Sequence, residues 1–332
     1  MEARVVRYAD LVPCLNAFVD SRNPGSEAKE NFTIIGPGVS ENPAQHVHIR
    51  EPHGFNIGGA RQPPNCVNSQ HSHETAEVFY IFSGKWRFNF GEHGDDVQVE
   101  AGPGSVGSIP TGMFRGFTNV GATPGFLWVV LGGDDPGNVL WAPHVFDMAE
   151  HFGLKLLADG TLVDTVAGET VPEGAALMPR TGAGTAALLK TPPRAVVEAC
   201  FILPESALNQ PPGPLAAPGI TDEALIGPKF DLSRPDDHGT GLAAGPIAWN
   251  HGFTMRRLHF TSGTSRWHSH DCPQVLFVGE GLIDVDWPDG TLHLQAGDTF
   301  TVPVGLDRRF RGTGTLIAVL GGNQPTTPTW RS

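Results

Sequence analysis

The chain carries one pattern twice. His71-Ser72-His73 lies over His268-Ser269-His270, and Gly84 over Gly281 at the same distance beyond. Farther on, Gly104, Pro110, Gly112, Arg115 and Phe117 match Gly297, Pro303, Gly305, Arg308 and Phe310 with identical internal spacing. Nine identical positions in two separate segments mark an internal duplication, so the chain is expected to fold as two similar units. Its 332 residues suffice for two domains, each with a buried core.

Each copy is written in the period of a β-strand. Trp86, Phe88 and Phe90 alternate with Arg87 and Asn89; Gly91, Gly94 and Asp95 break the run, and Val97 and Val99 resume it. In the second copy Ile283, Val285 and Trp287 alternate with Asp284 and Asp286, Pro288-Asp289-Gly290 makes the turn, and Leu292 and Leu294 continue. The 42 glycines and 29 prolines supply the many turns an all-β protein needs, and no Gly-X-Y period points to collagen. Outside the copies, Val5 to Val19 predicts a short helix interrupted by Pro13. His144 to Leu157 predicts another, with Val145, Met148, Ala149, Phe152 and Leu156 as its apolar stripe. Residues 165–220 read as a connecting arm with a strand-like piece at Val196–Leu203.

Charge and hydropathy narrow the function classes. The 22 basic and 35 acidic residues give a net charge of −13, and no Lys/Arg run exceeds two, which argues against nucleic acid or an anionic membrane as partner. The longest apolar stretches, such as Phe126–Leu131, are too short to span a bilayer, and Glu2 and Asp10 break the N-terminal pattern where a secretory leader would be apolar. Cys14, Cys66, Cys200 and Cys272 are scattered, with no CxxC pair, so neither a disulfide framework nor a cysteine zinc site is indicated. The expectation is a soluble, cytoplasmic protein acting on a small molecule.

His71 and His73 are two apart, so on a strand their imidazoles share a face, and Glu77 has the same parity. Two imidazoles and a carboxylate form the ligand set of a facial triad, which suits Fe(II) best; Mn, Ni, Cu, Co and Zn accept the same donors. The alternative is two ordinary surface histidines.

The residues His71, His73, Glu77 and Gly84, followed by Gly104, Pro110, Gly112 and Asn119, resemble the two motifs of the cupin family, and His268, His270, Gly281, Gly297, Pro303 and Gly305 repeat them. The chain thus resembles a bicupin. That resemblance implies an all-β fold of two jelly-roll barrels, divided as an N-terminal arm 1–45, a barrel 46–140, a linker 141–244 and a second barrel 245–332. The family pattern ends with a fourth ligand, a histidine, where this chain has Arg115 and Arg308. Arginine stays protonated and cannot ligate a metal. Arg115 then either forks onto an anionic substrate beside a three-ligand metal, or marks a barrel that has lost its metal, or is a surface ion pair. The second copy also has Gln274 in place of Glu77 and Gly312 in place of Asn119, which puts the active site in the first barrel, with Glu77 and Arg115 as its acting side chains. His46, His48, His53 and His259 are the spare nitrogens that could complete a ligand set.

What the resemblance implies for function is a metal-dependent dioxygenase acting on a small anionic or hydroxylated aromatic compound. An O2-independent decarboxylase, lyase or isomerase using the same metal, or a non-catalytic ligand-binding bicupin, are the alternatives. Two barrels with apolar outer strands also suit a homo-oligomer.

Overall fold

The computed structural model describes residues 1–204, 206, 208, 212–227, 246–247, 249–322 and 328–331. These form two compact units, one of residues 12–51 and 56–204, the other of residues 1–11, 52–55 and 205–332.

The first unit is a sandwich of two sheets. In one, strands run in the order Val139–Trp141, Val67–His73, Arg115–Asn119, Trp86–Phe90, Val97–Ala101. The other contains Val106–Ile109, Glu77–Ser83, Gly125–Gly132 and Glu30–Ile35, and is antiparallel except where Glu30–Ile35 meets Val47–Ile49. The alternating aromatics of Trp86–Phe90 point inward as their period requires. Phe88 meets Phe79 of the facing sheet at 5.2 Å between ring centroids, and Phe117 meets it at 5.4 Å, both edge-on.

In the second unit two long strands, Gln274–Trp287 and Arg309–Gly321, pair with each other along most of their length, flanked by Thr299–Val302 and Phe253–Phe260. Such strands must bend, and glycine permits it. Gly281 has φ 76°, and a Cβ there would overlap the Thr313 carbonyl oxygen. Its counterpart in the first unit, Gly84, has φ 85°, with Gly125 Cα only 2.6 Å from where a Cβ would sit. The hairpin expected at Pro288-Asp289-Gly290 closes with Trp287 opposite Gly290.

Several expectations change. No α-helix forms at the N-terminus: Glu2–Arg4 and Tyr8–Asp10 are single 3-10 turns, and Val5–Val6 between them zips onto Phe300 and Thr299. Pairing with a distant strand overrides the local helical spacing. The helix expected from His144 runs Pro143–His151, with proline in its first turn and Gly153 at φ 83° just past its end. It buries Val145, Phe146 and Ala149 but leaves Met148 and Phe152 exposed, and Leu156 belongs to a strand instead. Val196–Leu203 is mostly not a strand: Arg194–Glu198 is helical and only Phe201–Ile202 pairs, with Val106–Ile109. The units also ignore the boundaries 46–140 and 245–332. Residues 12–45 and 141–204 pack with the first motif and residues 1–11 with the second, because each supplies strands or apolar side chains to that core. The expected junction at 244 and 245 lies outside the described residues.

Candidate metal centre

The strand Val67–His73 ends at His73, the chain turns through residues 74–76, and Glu77 opens the strand of the facing sheet. That turn brings the carboxylate across to the imidazoles. The candidate ligand atoms of His71, His73 and Glu77 all lie within 4.8 Å of one another, and all three residues are buried. Among the described residues no other group of three or more His, Cys, Asp or Glu side chains converges in this way. Ligand bonds of about 2.0–2.2 Å would set neighbouring donors ~3 Å apart and opposite ones ~4 Å apart around one ion, so the set fits a divalent metal.

Tautomers follow from the partners. His71 Nδ1 is 2.7 Å from the Ser69 carbonyl oxygen, which can only accept, so Nδ1 carries the proton and the Nε2 lone pair is left for a ligand. His73 Nδ1 is buried without a partner among the described residues, while Nε2 lies 3.5 Å from Glu77 Oε1. Burial and the neighbouring Arg115 guanidinium push both histidines below their ordinary range, so both are neutral and able to ligate at pH 7. Burial works against ionising Glu77, but Arg115 and the two imidazoles outweigh it and hold the carboxyl well below the usual range.

Arg115 is not a surface residue. It is 1% exposed and pairs in register with His71 across the sheet. Its Nε and Nη2 donate to Glu77 Oε2 at 3.2 and 2.6 Å, and Nη1 donates to the His71 carbonyl oxygen at 3.2 Å. Arg115 therefore takes one oxygen of Glu77 and leaves Oε1 facing His73. It is not among the residues that line the adjoining cavity.

That cavity, about 80 Å³, has His71, His73 and Glu77 in its wall with Phe79, Phe117, Val129, Leu131 and Trp141. Phe117 lines it, while Trp86, Phe88 and Phe90 are core and Phe114 belongs to a separate core cluster around Trp141. Ala17, Phe18, Val39 and Ser40, from segments outside the repeat, also line it.

Several residues were not marked by the sequence pattern. The Trp141 ring lies 5.3 Å from the His71 ring, and its Nε1 donates to Glu41 Oε1 at 2.7 Å. Glu41 is buried, which pushes its carboxyl up to about 8 despite hydrogen bonds from Trp141 and the Val19 amide. Asp20 and Lys29 form a fully buried ion pair; Asp20 Oδ2 accepts from the Ser69 amide at 3.0 Å, and Lys29 Nζ donates to Asn68 Oδ1 at 3.1 Å. None of these lies in the repeated segments, so no motif marked them. The spare histidines do not join the centre. His48 Nδ1 contacts the Thr33 carbonyl, His46 stacks edge-on against His48, His259 is exposed, and His53 belongs to the other unit.

The second unit repeats the geometry with different chemistry. His268 Nδ1 contacts the Arg266 carbonyl oxygen at 2.9 Å, as His71 does Ser69, and Arg308 bridges to His268 as Arg115 pairs with His71. Here Arg308 Nη2 lies 2.5 Å from His270 Nδ1 and also donates to Gln274 Oε1. A guanidinium only donates, so His270 Nδ1 accepts, its proton sits on Nε2, and that nitrogen has no lone pair for a metal.

Comparison with known proteins agrees with the motifs. Residues 55–165 match the family model described as cupin. No curated protein sequence matches the chain. Among solved structures, vicilin from Corylus avellana (hazelnut) is similar at 11% identity and TM-score 0.53, covering 99% of this chain and 88% of that one. Lactobacillus farciminis oxalate decarboxylase, in a formate complex, is similar at 11% identity and TM-score 0.52, covering 98% and 88%. A point mutant of Bacillus subtilis oxalate decarboxylase is similar at 13% and 0.53, covering 98% and 79%. These are likenesses of fold. No helix among the described residues is long and apolar enough to cross a membrane.

Proposed function

We propose that this two-barrel cupin is a metal-dependent enzyme acting on a small organic acid in its first barrel. One observation carries the reading: two neutral imidazoles and an ionised carboxylate converge within 4.8 Å on the wall of an internal cavity. A bound divalent iron or manganese ion would supply Lewis-acid and one-electron redox chemistry there. His71, His73 and Glu77 Oε1 are the residues that would hold it.

The chain's own groups do the rest. Ser69 fixes the His71 tautomer, and Arg115 cancels the charge of Glu77 while occupying its outer oxygen. Glu77 and Arg115 sum to zero, so a divalent ion would leave the site positive and attract an anion. The apolar walls exclude water and raise the strength of that attraction. At ~10–15 Å³ of such space per water-sized atom, the cavity of about 80 Å³ suits a substrate of few non-hydrogen atoms.

The finer reading is a dioxygenase, because the donor set leaves coordination positions for both substrate and oxygen. The small cavity favours the second reading, an O2-independent decarboxylase of a short acid. Elemental analysis of wild type beside His71→Ala tests the common premise: about one equivalent of metal is expected in the first and near zero in the second. Near zero in both, after purification without chelators, would overturn it. Oxygen uptake during turnover then separates the two chemistries.

A further inference from the structure

The second barrel has replaced Glu77 by Gln274 while keeping the arginine, and this changes its charge. The first site, with Glu77 and Arg115, is neutral; the second, with Gln274 and Arg308, carries +1. Arg308 is 1% exposed, and among the described residues no carboxylate accepts a hydrogen bond from it. Its contacts are the His268 and Leu306 carbonyl oxygens, His270 Nδ1 and Gln274 Oε1, all neutral. The acidic groups that act on it through space are the Cys272 thiol and Asp307, and Asp307 pairs with Arg331.

Two buried polar atoms here have no partner among the described residues, Arg308 Nε, a donor, and His268 Nε2. Since His268 Nδ1 gives its proton to the Arg266 carbonyl, Nε2 is an acceptor. The His268 ring lies 5.1 Å from that of Phe310, 5.6 Å from that of His270 and 6.2 Å from that of Trp330. A buried cation with no carboxylate partner among the described residues is costly, and an open donor on Arg308 with an open acceptor on His268 is the complement of one ligand type.

We propose that the second barrel is a metal-free binding site for a small carboxylate bearing a hydroxyl group, with Arg308 holding the carboxylate and His268 Nε2 accepting from the hydroxyl. The guanidinium supplies the positive charge that a metal would supply in the first barrel. No covalent step is involved.

Glycolate carries both groups and serves as the probe in calorimetric titration of the full chain. Stripped of metal, so that the first barrel offers the anion no cation, wild type is expected to bind one equivalent. Arg308→Gln should weaken binding at least tenfold. Because that variant could misfold, Gln274→Glu is the decisive one. It supplies an internal carboxylate as Glu77 does for Arg115, so the fold keeps a precedented pair, yet glycolate should again bind at least tenfold more weakly. Equal affinity in Gln274→Glu and wild type would overturn the assignment. So would absence of binding in wild type with its appearance in Cys272→Ser, which would make the Cys272 thiolate the resident counter-ion.

Discussion

Arg115 donates twice to a single oxygen of Glu77, Oε2, from Nε and Nη2, and leaves Oε1 turned toward His73 Nε2. The arginine thus acts on a candidate ligand, Glu77. It orients one carboxylate oxygen inward and satisfies the other, so a buried acid stays ionised in an apolar barrel.

Arg115→Met should therefore destabilise the first barrel by about 3–5 kcal/mol, the cost of leaving a buried charge without its partner. Adding Glu77→Gln to that variant should restore much of the loss, because the uncompensated carboxylate disappears with it. Urea denaturation of the two variants beside wild type checks this. A double variant no more stable than the single one would mean that Arg115 contributes packing rather than charge.

Glu77→Gln alone tests the same pair from the other side, because it leaves Arg115 buried without its anion. The molecule already contains that arrangement, since Arg308 donates to Gln274 Oε1 in the second barrel. The substituted barrel should lose about 3–5 kcal/mol of stability, and its metal content should fall at least tenfold for want of the anionic donor. Elemental analysis and a melting curve on one preparation give both numbers. Retained metal would show that the two imidazoles suffice.

The duplication, the hairpins and the triad were legible because they are local. A His-x-His on a strand needs only the two-residue period to share a face, and Gly84 and Gly281 mark turns that require positive φ. What could not be read depends on partners distant in sequence. Val5 and Val6 look helical until Phe300 and Thr299 offer strand pairing. The arginine at 115 was visible, but its hold on Glu77 depends on the facing sheets. Trp141, Glu41, Asp20 and Lys29 sit on segments with no repeat or motif, and only packing brings them to the His71 strand.

Acid should unfold the protein earlier than its composition suggests. Burial, with Arg308 nearby, lowers His268 to about 3 and His270 to about 2, and burial lowers His251 to about 4; His71 and His73 are lowered for like reasons. Below the ordinary value of 6.5 the unfolded chain takes up protons that the folded one refuses, so stability is greatest above that pH and falls as pH drops toward the folded values. Each such histidine contributes up to ~1.4 kcal/mol per pH unit in that window. Glu77, also lowered, adds a loss with the same sign below about 4.5. Glu41, raised to about 8, acts oppositely between 4.5 and 8, but it is one group against five. Urea midpoints at pH 7.5, 6 and 5 should therefore decline monotonically, and a flat series would contradict the burial of these imidazoles.

The Asp20–Lys29 pair offers a test of how the first centre is held from behind. Both side chains are fully buried, and together they grip the strand at Ser69 and Asn68, next to His71. Lys29→Met leaves Asp20 as a lone buried anion and should cost about 3–5 kcal/mol. Asp20→Asn added to it removes the charge but keeps an acceptor for the Ser69 amide, so most of that stability should return. Metal affinity should follow a different course. Asn68 loses the Lys29 contact in both variants, and with it one support of the strand that presents His71. A double variant with near-native stability and metal bound several-fold more weakly would identify Lys29 as a positioning residue for the centre. Recovery of both properties together would confine the pair to folding.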